Sequence, residues 1–531
     1  MVGVPTLYPM SDFRRSRTER PRAELLRVAT ALAVAQLAAC KAERVPPVAQ
    51  TVTVGALQPV TTLDPRMVVL RAEIDLSRLM HDGLIALDSL GNAVPALATR
   101  WTTLADGRTV RFVLASGRRF HSGEAVTARA VVQSLASPLA DQALRARSAP
   151  LLTTIEGGAA YLEGRTDQVT GLIAVDDSTV DIAFRDTTRD LTPLAAVRHG
   201  IRGSQATPTR PDGAGPWRLV RVDAPLTHFV LARTARRAGF PDTLQLRVVG
   251  TSELDGAFSR GELDCLPRAF ATTRRMLAVR PDLIVNDIGP WYVQMIMLSP
   301  RQRAWDDLRA RRALSLAIDR VGYTNTFAPR VGVPAGGLRN PIAAADAHRV
   351  PLAYDPGTAR SAFAGVPGIE TLVLRIAVPS TTPDDSVVGP QAALAVSLRA
   401  VGIRTRFVMT DRVLQALASG TVDLHLGGYT LDSQRDEPVV QLLIEGLLAD
   451  SIAGRHRLPS LKDVEQSLQR DPSPRHRAAV IDTLDGIVRA DLPLIPLWFA
   501  PGSTVSRMGV TGCTMEGAQI DQFVGLRRST Q

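Results

Sequence analysis

The sequence predicts an α/β protein with more than one lobe, and three observations support this prediction. The chain has 531 residues, which exceeds the length at which a single hydrophobic core stops growing. The apolar run WYVQMIMLS, residues 291–299, is typical of a strand buried on both faces, and a helical pattern follows it. Residues 390–411 read as a helix, a stop at Gly402 and then a strand, which is one unit of an open sheet.

The composition is that of a folded protein and argues against a nucleic-acid partner. Hydrophobic residues make up 45% of the chain and charged residues 21%, which are ordinary values. The formal net charge is +10 at pH 7, but the arginines that supply it are scattered, often beside Asp or Glu. Because they form no run and no stripe interleaved with aromatic residues, we expect no phosphate-binding surface.

The amino terminus predicts export and lipid anchoring. Arginines precede the apolar run VATALAVAQLAA at residues 28–39, which is shorter than the ~20 residues that a spanning helix needs. The following LAAC resembles a bacterial lipobox, so we expect a lipoprotein signal peptide and lipobox at 1–40, with lipid on Cys40. The alternative is a chance cysteine after a plain signal peptide. Residues 41–50 read as a tether, and the protein is expected to be a cell-envelope lipoprotein on the periplasmic face of the membrane.

Export changes how the other cysteines are interpreted. Cys265 and Cys513 would lie in an oxidising compartment, where a disulfide between them is one alternative and two free thiols are the other.

The first elements follow from periodicity and turn residues. Residues 51–57 alternate in the manner of a strand. An apolar stripe that starts at Ile74 predicts a helix ended by Gly83. Asp106-Gly107 predicts a hairpin turn that leads into a strand at 109–114.

The segment SGRRFHSGEAVTARAV, residues 116–131, carries several groups that could do chemistry. His121, Ser122 and Glu124 could be catalytic or metal-binding groups, or they could form a shaped turn. Thr127 is well placed to cap the helix that follows the turn.

The helix after the buried run is predicted over residues 306–322. Asp306 is placed to cap its amino end, and Gly322 is placed to end it.

Motifs of known chemistry are missing from the sequence. It contains no G-x-S-x-G elbow, no P-loop and no G-x-G-x-x-G, and no two histidines make the i, i+4 pair of a helical zinc site. Adjacent acidic pairs such as Asp306-Asp307 and Asp384-Asp385 are typical of solvated faces rather than acid/base dyads. We therefore expect no catalytic residues, no metal and no cofactor, although catalytic triads can assemble from distant residues.

A set of sequence blocks resembles one known family in order and spacing. The blocks resemble the bacterial extracellular solute-binding proteins of the oligopeptide/dipeptide/nickel class (family 5), the receptors of ABC importers. They cover about residues 52–500 and include HDGLIALDSLGNAVPALATRW, DGRTVRFVLASGRRFHSGEAVTARAVVQSL, GAGPWRLVR, DLHLGGYTLD and ADLPLIPLWF. In that family the FHSGEAVTA block is a fold signature, which implies that His121 satisfies a hydrogen bond or packs beside the turn.

The resemblance implies a two-lobed periplasmic-binding-protein fold (type II, class C-like) with an additional small subdomain in the first lobe. Lobe one would comprise residues 51–290, with the subdomain at about 86–199. Lobe two would comprise 291–489, and residues 490–531 would return to lobe one.

The resemblance also implies ligand-binding residues. In peptide-binding relatives, an Asp in the block resembling GGYTLD holds the α-ammonium of the peptide, and the aromatic residue three positions earlier lines the pocket. These are Asp432 and Tyr429 here. The usual Asp-Pro pair after the aspartate is replaced by SQRDEP, so Asp436 or Glu437 could be the partner instead, or the ligand could lack an ammonium. A turn or helix-cap role for Asp432, and simple packing for Tyr429, are the structural alternatives.

Two further aromatic residues lie where the chain enters lobe two. Trp291 and Tyr292 either border the cleft or pack in the hinge. Together these features predict a monomeric, lipid-anchored receptor that captures a short peptide or similar small solute and delivers it to ABC permease subunits. A nickel chelate, haem, sugar or opine ligand is the first alternative. An exported enzyme or a sensory protein on the same scaffold is the second.

Overall fold

The computed structural model describes most of the chain after residue 50. The described residues are 51–68, 70–88, 92–137, 142–187, 191–235, 240–339, 353–369, 371–379, 385–410, 413–430, 467, 474–513 and 527–528. The predicted signal peptide and lipobox at 1–40 with Cys40, the tether at 41–50, and Asp432 all lie outside these ranges.

The described helices and strands alternate along most of the chain. The helices are α1 Arg71–Met80, α2 Ala128–Leu135, α3 Gln142–Leu152, α4 Gly158–Leu162, α5 Leu254–Ser259, α6 Ala271–Leu277, α7 Leu308–Leu316, α8 Arg320–Phe327, α9 Pro356–Ala364, α10 Asp385–Ala400, α11 Val413–Ser419 and α12 Pro474–Asp491. The strands are β1 Thr51–Ala56, β2 Ile85–Leu87, β3 Ala93–Pro95, β4 Ala98–Thr103, β5 Thr109–Leu114, β6 Leu172–Ala174, β7 Thr179–Ala183, β8 Trp217–Asp223, β9 His228–Arg233, β10 Thr243–Val248, β11 Cys265–Ala269, β12 Leu283–Leu298, β13 Val333–Pro334, β14 Val373–Pro379, β15 Arg404–Thr410, β16 Leu424–Thr430, β17 Leu494–Arg507, β18 Val510–Thr511 and β19 Arg527–Arg528.

The main sheet is shared by both lobes. Its strand order is β15-β14-β16-β12-β17-β11-β1-β10-β9-β8, and β13 pairs with β17. We call the part built on β11, β1, β10, β9 and β8 lobe one, and the part built on β14, β15 and β16 lobe two. The strands β12 and β17 belong to both parts, because one end of each pairs within lobe one and the other within lobe two.

A second, smaller sheet follows α1. Its strand order is β4-β5-β7-β6, and its inward side chains form a separate apolar core that includes Phe112, Val180 and Ile182. The hairpin predicted at Asp106-Gly107 joins β4 and β5, and Gly107 has the positive φ of 70° that such a turn requires. The residue limits of the predicted subdomain stay a prediction.

The sequence-predicted helix over 306–322 is wrong in its extent. The structure has two helices there, α7 and α8, separated by residues 317–319. The side chain of Asp319 accepts from the backbone N of Gly322 at 2.9 Å and so starts α8, which means that Gly322 lies inside a helix rather than at its end. The amino end of α7 is capped by Asp307, which accepts from Arg309 N at 2.8 Å, and not by Asp306.

Three other local predictions are confirmed. The strand predicted at 51–57 is β1, and the apolar run at 291–299 forms the carboxyl half of the buried strand β12. The side chain of Thr127 caps α2 by accepting from Ala130 N at 3.2 Å. α1 ends at Met80, three residues before the predicted stop at Gly83.

A disulfide bond joins β11 to the chain beyond β17. It connects Cys265 and Cys513, whose Cα atoms are 6.0 Å apart, within the usual range for a disulfide. Both residues are buried in the core of lobe one beside Val52, Val54 and Val510.

Candidate functional site

Two long strands connect the lobes. β12 and β17 pair antiparallel along their lengths, and their register shifts three times between Ile288 and Met295. Each shift interrupts the hydrogen-bond ladder, and such irregularities bend and twist a strand locally. We therefore take residues 288–295 of β12, with the facing residues of β17, as the hinge.

The parallel strands of both lobes end towards this hinge. In lobe one, β11 runs antiparallel to β17, β1 runs parallel to β11, and β10 runs parallel to β1. In lobe two, β16 runs antiparallel to β12, β14 runs parallel to β16, and β15 runs parallel to β14. Because β12 leads from lobe one to lobe two and β17 returns, the carboxyl ends of both sets of strands point at the hinge. Open α/β sheets bind ligands outside these ends, so the space between the two sets is the candidate site.

The lobe-one side of the site is formed partly by the segment between β1 and α1. The side-chain oxygen of Gln58 accepts from the backbone N of Arg71 at 2.8 Å. The carboxylate of Glu73 accepts from the backbone N and hydroxyl of Thr61 at 2.9 and 2.6 Å, and from Leu70 N at 2.9 Å. These contacts hold the amino end of α1 beside the carboxyl end of β1.

Three arginines and one aspartate lie together beside this edge. Arg71, Asp75 and Arg78 are spaced along one face of α1, and Arg268, near the carboxyl end of β11, reaches the same face. Asp75 accepts from Arg71 Nε at 2.8 Å and from Arg268 Nε and Nη2 at 3.2 Å. We call these four residues the arginine cluster.

Burial dominates the electrostatics of the arginine cluster. Desolvation lowers the pKa of Arg78 and that of Arg268 to about 9 each, and the neighbouring charge of Arg71 lowers both further while Asp75 opposes the change. Desolvation raises the pKa of Asp75, but the charges of Arg268 and Arg71 outweigh it, so the net pKa is below the usual value. The buried Nη1 of Arg78 makes no hydrogen bond to any part of the chain that the structure describes.

The lobe-two side of the site is formed by the ends of three strands. β14 ends at Pro379, β15 at Thr410 and β16 at Thr430. The backbone of Tyr429 lies in β16 directly opposite Val293 of β12. The GGYT segment therefore approaches the hinge from lobe two.

Tyr292 packs between the two lobes at the hinge. Its hydroxyl donates to Gln294 Oε1 at 2.5 Å, and its ring meets the Phe270 ring edge-to-face with centroids 5.6 Å apart. Phe270 directly follows β11 of lobe one. On the other side, the Tyr292 ring lies against the backbone of Gly428 in β16, where an added Cβ would overlap it. Burial raises the pKa of Tyr292 above its usual range.

The structure thus supports the hinge interpretation of Tyr292, and a contact between Tyr292 and the ligand stays a prediction. The backbones of Trp291 and Tyr429 lie near it on the paired strands β12 and β16. The side chains of these two residues, and the whole of Asp432, lie outside what the structure describes, so their ligand roles also stay predictions.

Sequence reasoning missed Phe270 and the arginine cluster. The spacing of Arg71, Asp75 and Arg78 on a helix was visible in the sequence and could have indicated a charged helix face. The approach of Arg268 from β11 was not, because it depends on a contact between residues 193 positions apart.

We expect Gly428→Ala to lower the free energy of unfolding by about 2 kcal/mol, because the new methyl group must displace the Tyr292 ring from a packed site. Urea denaturation would measure the change. Gly486→Ala is the matched control: an added Cβ there meets no heavy atom within 4 Å, and alanine is favoured in a helix such as α12. Combining Gly428→Ala with Tyr292→Ala should remove most of the cost, and an unchanged cost in the double variant would contradict this explanation.

The FHSGEAVTA segment has a structural role. The His121 ring nitrogen Nε2 is 3.0 Å from the carbonyl oxygen of Gly215, and its backbone N donates to Gly213 O at 2.8 Å. The backbone N of Ser122 donates to Asp212 Oδ1 at 2.8 Å. The predicted hydrogen bond of His121 is therefore confirmed, and the turn ties the second sheet to the segment that leads into β8.

Other chemical features were sought over the same described ranges. No group of three or more His, Cys, Asp or Glu side chains there is arranged to hold a metal ion. None of the helices in those ranges is both long and apolar enough to cross a membrane. The side chains around the hinge can pack against a solute and offer it positive charge.

Comparison with known proteins identifies relatives. The family model described as "Bacterial extracellular solute-binding proteins, family 5 Middle" matches residues 92–446, more than half of the chain. The chain is 28% identical over 291 residues to the probable deoxycholate-binding periplasmic protein YgiS of Escherichia coli (strain K12). That match covers 49% of this chain and 51% of the relative, so the chain spans about half the length of the curated relative that it matches.

Solved structures share the fold over almost the whole chain. The ABC transporter-associated periplasmic binding protein DppA from Helicobacter pylori, in complex with the peptide STSA, has a TM-score of 0.75 at 16% identity and covers 91% of this chain and 98% of its own. NikA from Staphylococcus aureus, in complex with Ni(L-His)2, has a TM-score of 0.73 at 13% identity and covers 90% of this chain and 100% of its own. The predicted two-lobed periplasmic-binding-protein fold is confirmed.

Proposed function

The chain belongs to the bacterial extracellular solute-binding proteins, family 5, and on that basis we propose that it captures a short peptide or a similar small solute between its lobes and delivers it to the permease of an ABC importer. Members of this family bind solutes for import and are not enzymes. The proposal includes lipid on Cys40 as the membrane anchor, on the periplasmic face, and action as a monomer.

The facing strand ends carry the proposal. The carboxyl ends of the parallel strands in both lobes point at one hinge, so a solute placed there would contact both lobes at once. Contact with both lobes is what allows a ligand to favour a closed arrangement over an open one, since a ligand shifts such an equilibrium only by its differential affinity for the two states.

The hinge is built to allow closure. Only β12 and β17 carry the main sheet from one lobe to the other among the described strands, and their ladder is interrupted at the crossing. Hinge motions are absorbed by a few backbone positions at such points. The Phe270–Tyr292 ring contact lies at this crossing, so it is a natural pivot.

The peptide class rests on the predicted role of Asp432. A buried carboxylate that accepts from an α-ammonium contributes about 1.5–3 kcal/mol. Micromolar binding needs about 8 kcal/mol, so main-chain hydrogen bonds to the peptide and lobe closure must supply the rest. Such contacts read the length and direction of a peptide more strictly than its side chains.

A carboxylate-bearing amphiphile is the second candidate. The curated relative that matches half of its length here is named as a probable deoxycholate-binding protein. Such a solute has no ammonium for Asp432, which agrees with the altered SQRDEP sequence after that residue. Nickel chelates, haem, sugars and opines remain alternatives within the same fold.

Native mass spectrometry of the freshly purified protein tests the proposal directly. We expect a co-purifying small molecule of a few hundred daltons that is recovered chemically intact after long incubation. Calorimetry with a set of di- to pentapeptides should then give micromolar or tighter binding to at least one length. Turnover of the bound molecule, or binding of no small solute, would contradict the receptor function.

We expect Asp432→Asn to weaken peptide binding by 10- to 100-fold, the equivalent of about 1.5–3 kcal/mol. The asparagine keeps the shape of the side chain but loses the charge that attracts the ammonium. Asp436→Asn is the matched control, because Asp436 is the other acidic residue that could take this role. If Asp436→Asn weakens binding and Asp432→Asn does not, calorimetry assigns the ammonium site to Asp436.

A further inference from the structure

The arginine cluster is unusual in its balance of charge. Asp75 is shared by two guanidinium groups, those of Arg71 and Arg268. Arg78 brings a third guanidinium into the same place, and its buried Nη1 makes no hydrogen bond to the described chain. A buried cation without a hydrogen-bonded partner is costly to the folded state, so a protein retains one when it serves a purpose.

Neighbouring acidic groups do not supply what Arg78 lacks. The carboxylate of Glu73 on the same helix is engaged by Thr61 and Leu70 at the other side of the loop. Asp75 is the described acidic side chain that acts on Arg78, and it makes its hydrogen bonds with Arg71 and Arg268. The free hydrogen-bonding capacity of Arg78 is therefore available to a group that is not part of the described protein.

The cluster lies where a solute can reach it. Arg268 is the second-last residue of β11, and Phe270, which follows that strand, contacts Tyr292 at the hinge. Arg71 is the first residue of α1, beside the carboxyl end of β1. About a tenth of each side chain in the Arg71–Asp75–Arg268 group remains exposed, so the group is recessed but open.

We propose that the arginine cluster is a subsite of lobe one that binds a carboxylate group of the captured solute. The proposal rests on the proposed function and deepens it, because it makes the cargo an acid. Guanidinium groups match the two oxygens of a carboxylate with paired, charge-assisted hydrogen bonds. The recess holds one small anionic group, and it is unsuited to the extended backbone of a polyanion.

Thermal unfolding in two salts tests the subsite without knowledge of the solute. The probe is sodium acetate at about 0.1 M, compared with sodium chloride at the same ionic strength so that general screening is equal. Acetate is expected to raise the unfolding temperature of the full-length protein by roughly 1–3 °C relative to chloride. In Arg78→Met this acetate effect should disappear, although the variant should be at least as stable as the parent in chloride, because it loses an unpartnered buried cation.

The controls separate a binding role from a structural one. Arg165→Met removes an exposed guanidinium from a surface ion pair with Glu163 and should leave the acetate effect unchanged. An acetate effect that is absent from the parent protein, or that survives in Arg78→Met, would overturn the proposal.

A second comparison connects the subsite to the cargo. Calorimetry should show trialanine binding at least tenfold more tightly than trialanine amide, which has the same length and lacks the carboxylate. Equal affinity for the two would overturn the carboxylate subsite while leaving a peptide receptor intact. Binding of neither would contradict the peptide class, and the acetate comparison would still decide the role of the arginine cluster.

Discussion

Cys513→Ser is expected to lower the free energy of unfolding by about 4 kcal/mol. The disulfide joins residues that are 248 positions apart, and closing so long a loop removes much of the conformational freedom of the unfolded chain. Both sulfur atoms lie in the lobe-one core, with Cys265 fully buried. The bond also fastens the segment after β17 to β11, the strand that carries Arg268 and Phe270 to the candidate site.

Urea denaturation of the oxidised protein and of the variant would measure this effect. A Cys40→Ser background leaves Cys265 and Cys513 as its only cysteines, so thiol counting becomes unambiguous. The unfolded, unreduced protein should show no free thiol, and two should appear after reduction. Reduction of the parent should reproduce the destabilisation of the variant, and two free thiols without reductant would show that the bond does not form.

Local patterns predicted local structure well in this chain. The Thr127 cap, the hairpin at Asp106-Gly107 and the strand β1 each depend on residues within a few positions of one another. The helix over 306–322 failed for a tertiary reason. The guanidinium of Arg320 is buried, where it donates to Ser315 O and to Pro496 O at 3.0 and 2.9 Å. The break between α7 and α8 places Arg320 for these contacts, and helical periodicity carries no signal of them.

The candidate site was predicted in outline but not in its contacts. Sequence blocks indicated two lobes and pointed to Tyr292 and Tyr429, which the structure brings onto adjacent strands. The extent of β12 was underestimated, because its lobe-one half contains Asn286, Asp287 and Gly289 and is stabilised by pairing with β17 rather than by apolar side chains. The arginine cluster required knowledge that β11 lies beside α1. Such long-range pairings determine the site, and a single sequence does not display them.

Asp423→Ala is expected to lower the free energy of unfolding by about 3 kcal/mol. Only 1% of Asp423 is exposed, and its carboxylate accepts from Arg375 Nε and Nη2 at 2.9 and 2.6 Å, from Arg375 N at 2.7 Å, and from Gln302 Nε2 at 3.0 Å. Alanine would leave these donors without their acceptor. Because the Arg375 side chain is partly exposed, water can replace some of the lost contacts, which keeps the expected cost below that of a sealed ion pair.

This change should also reach the candidate site, because Asp423 directly precedes β16 and binds β14 at the amino ends of both strands. The register between β14 and β16 determines where Tyr429 and Thr430 meet β12 at the hinge. We therefore expect Asp423→Ala to weaken solute binding even at urea concentrations where the protein stays folded, as calorimetry would show. Glu163→Ala is the control: it breaks an exposed ion pair with Arg165 and should change stability by less than about 0.5 kcal/mol. Lost stability with unchanged affinity would mean that the strand ends keep their places at the hinge without this anchor.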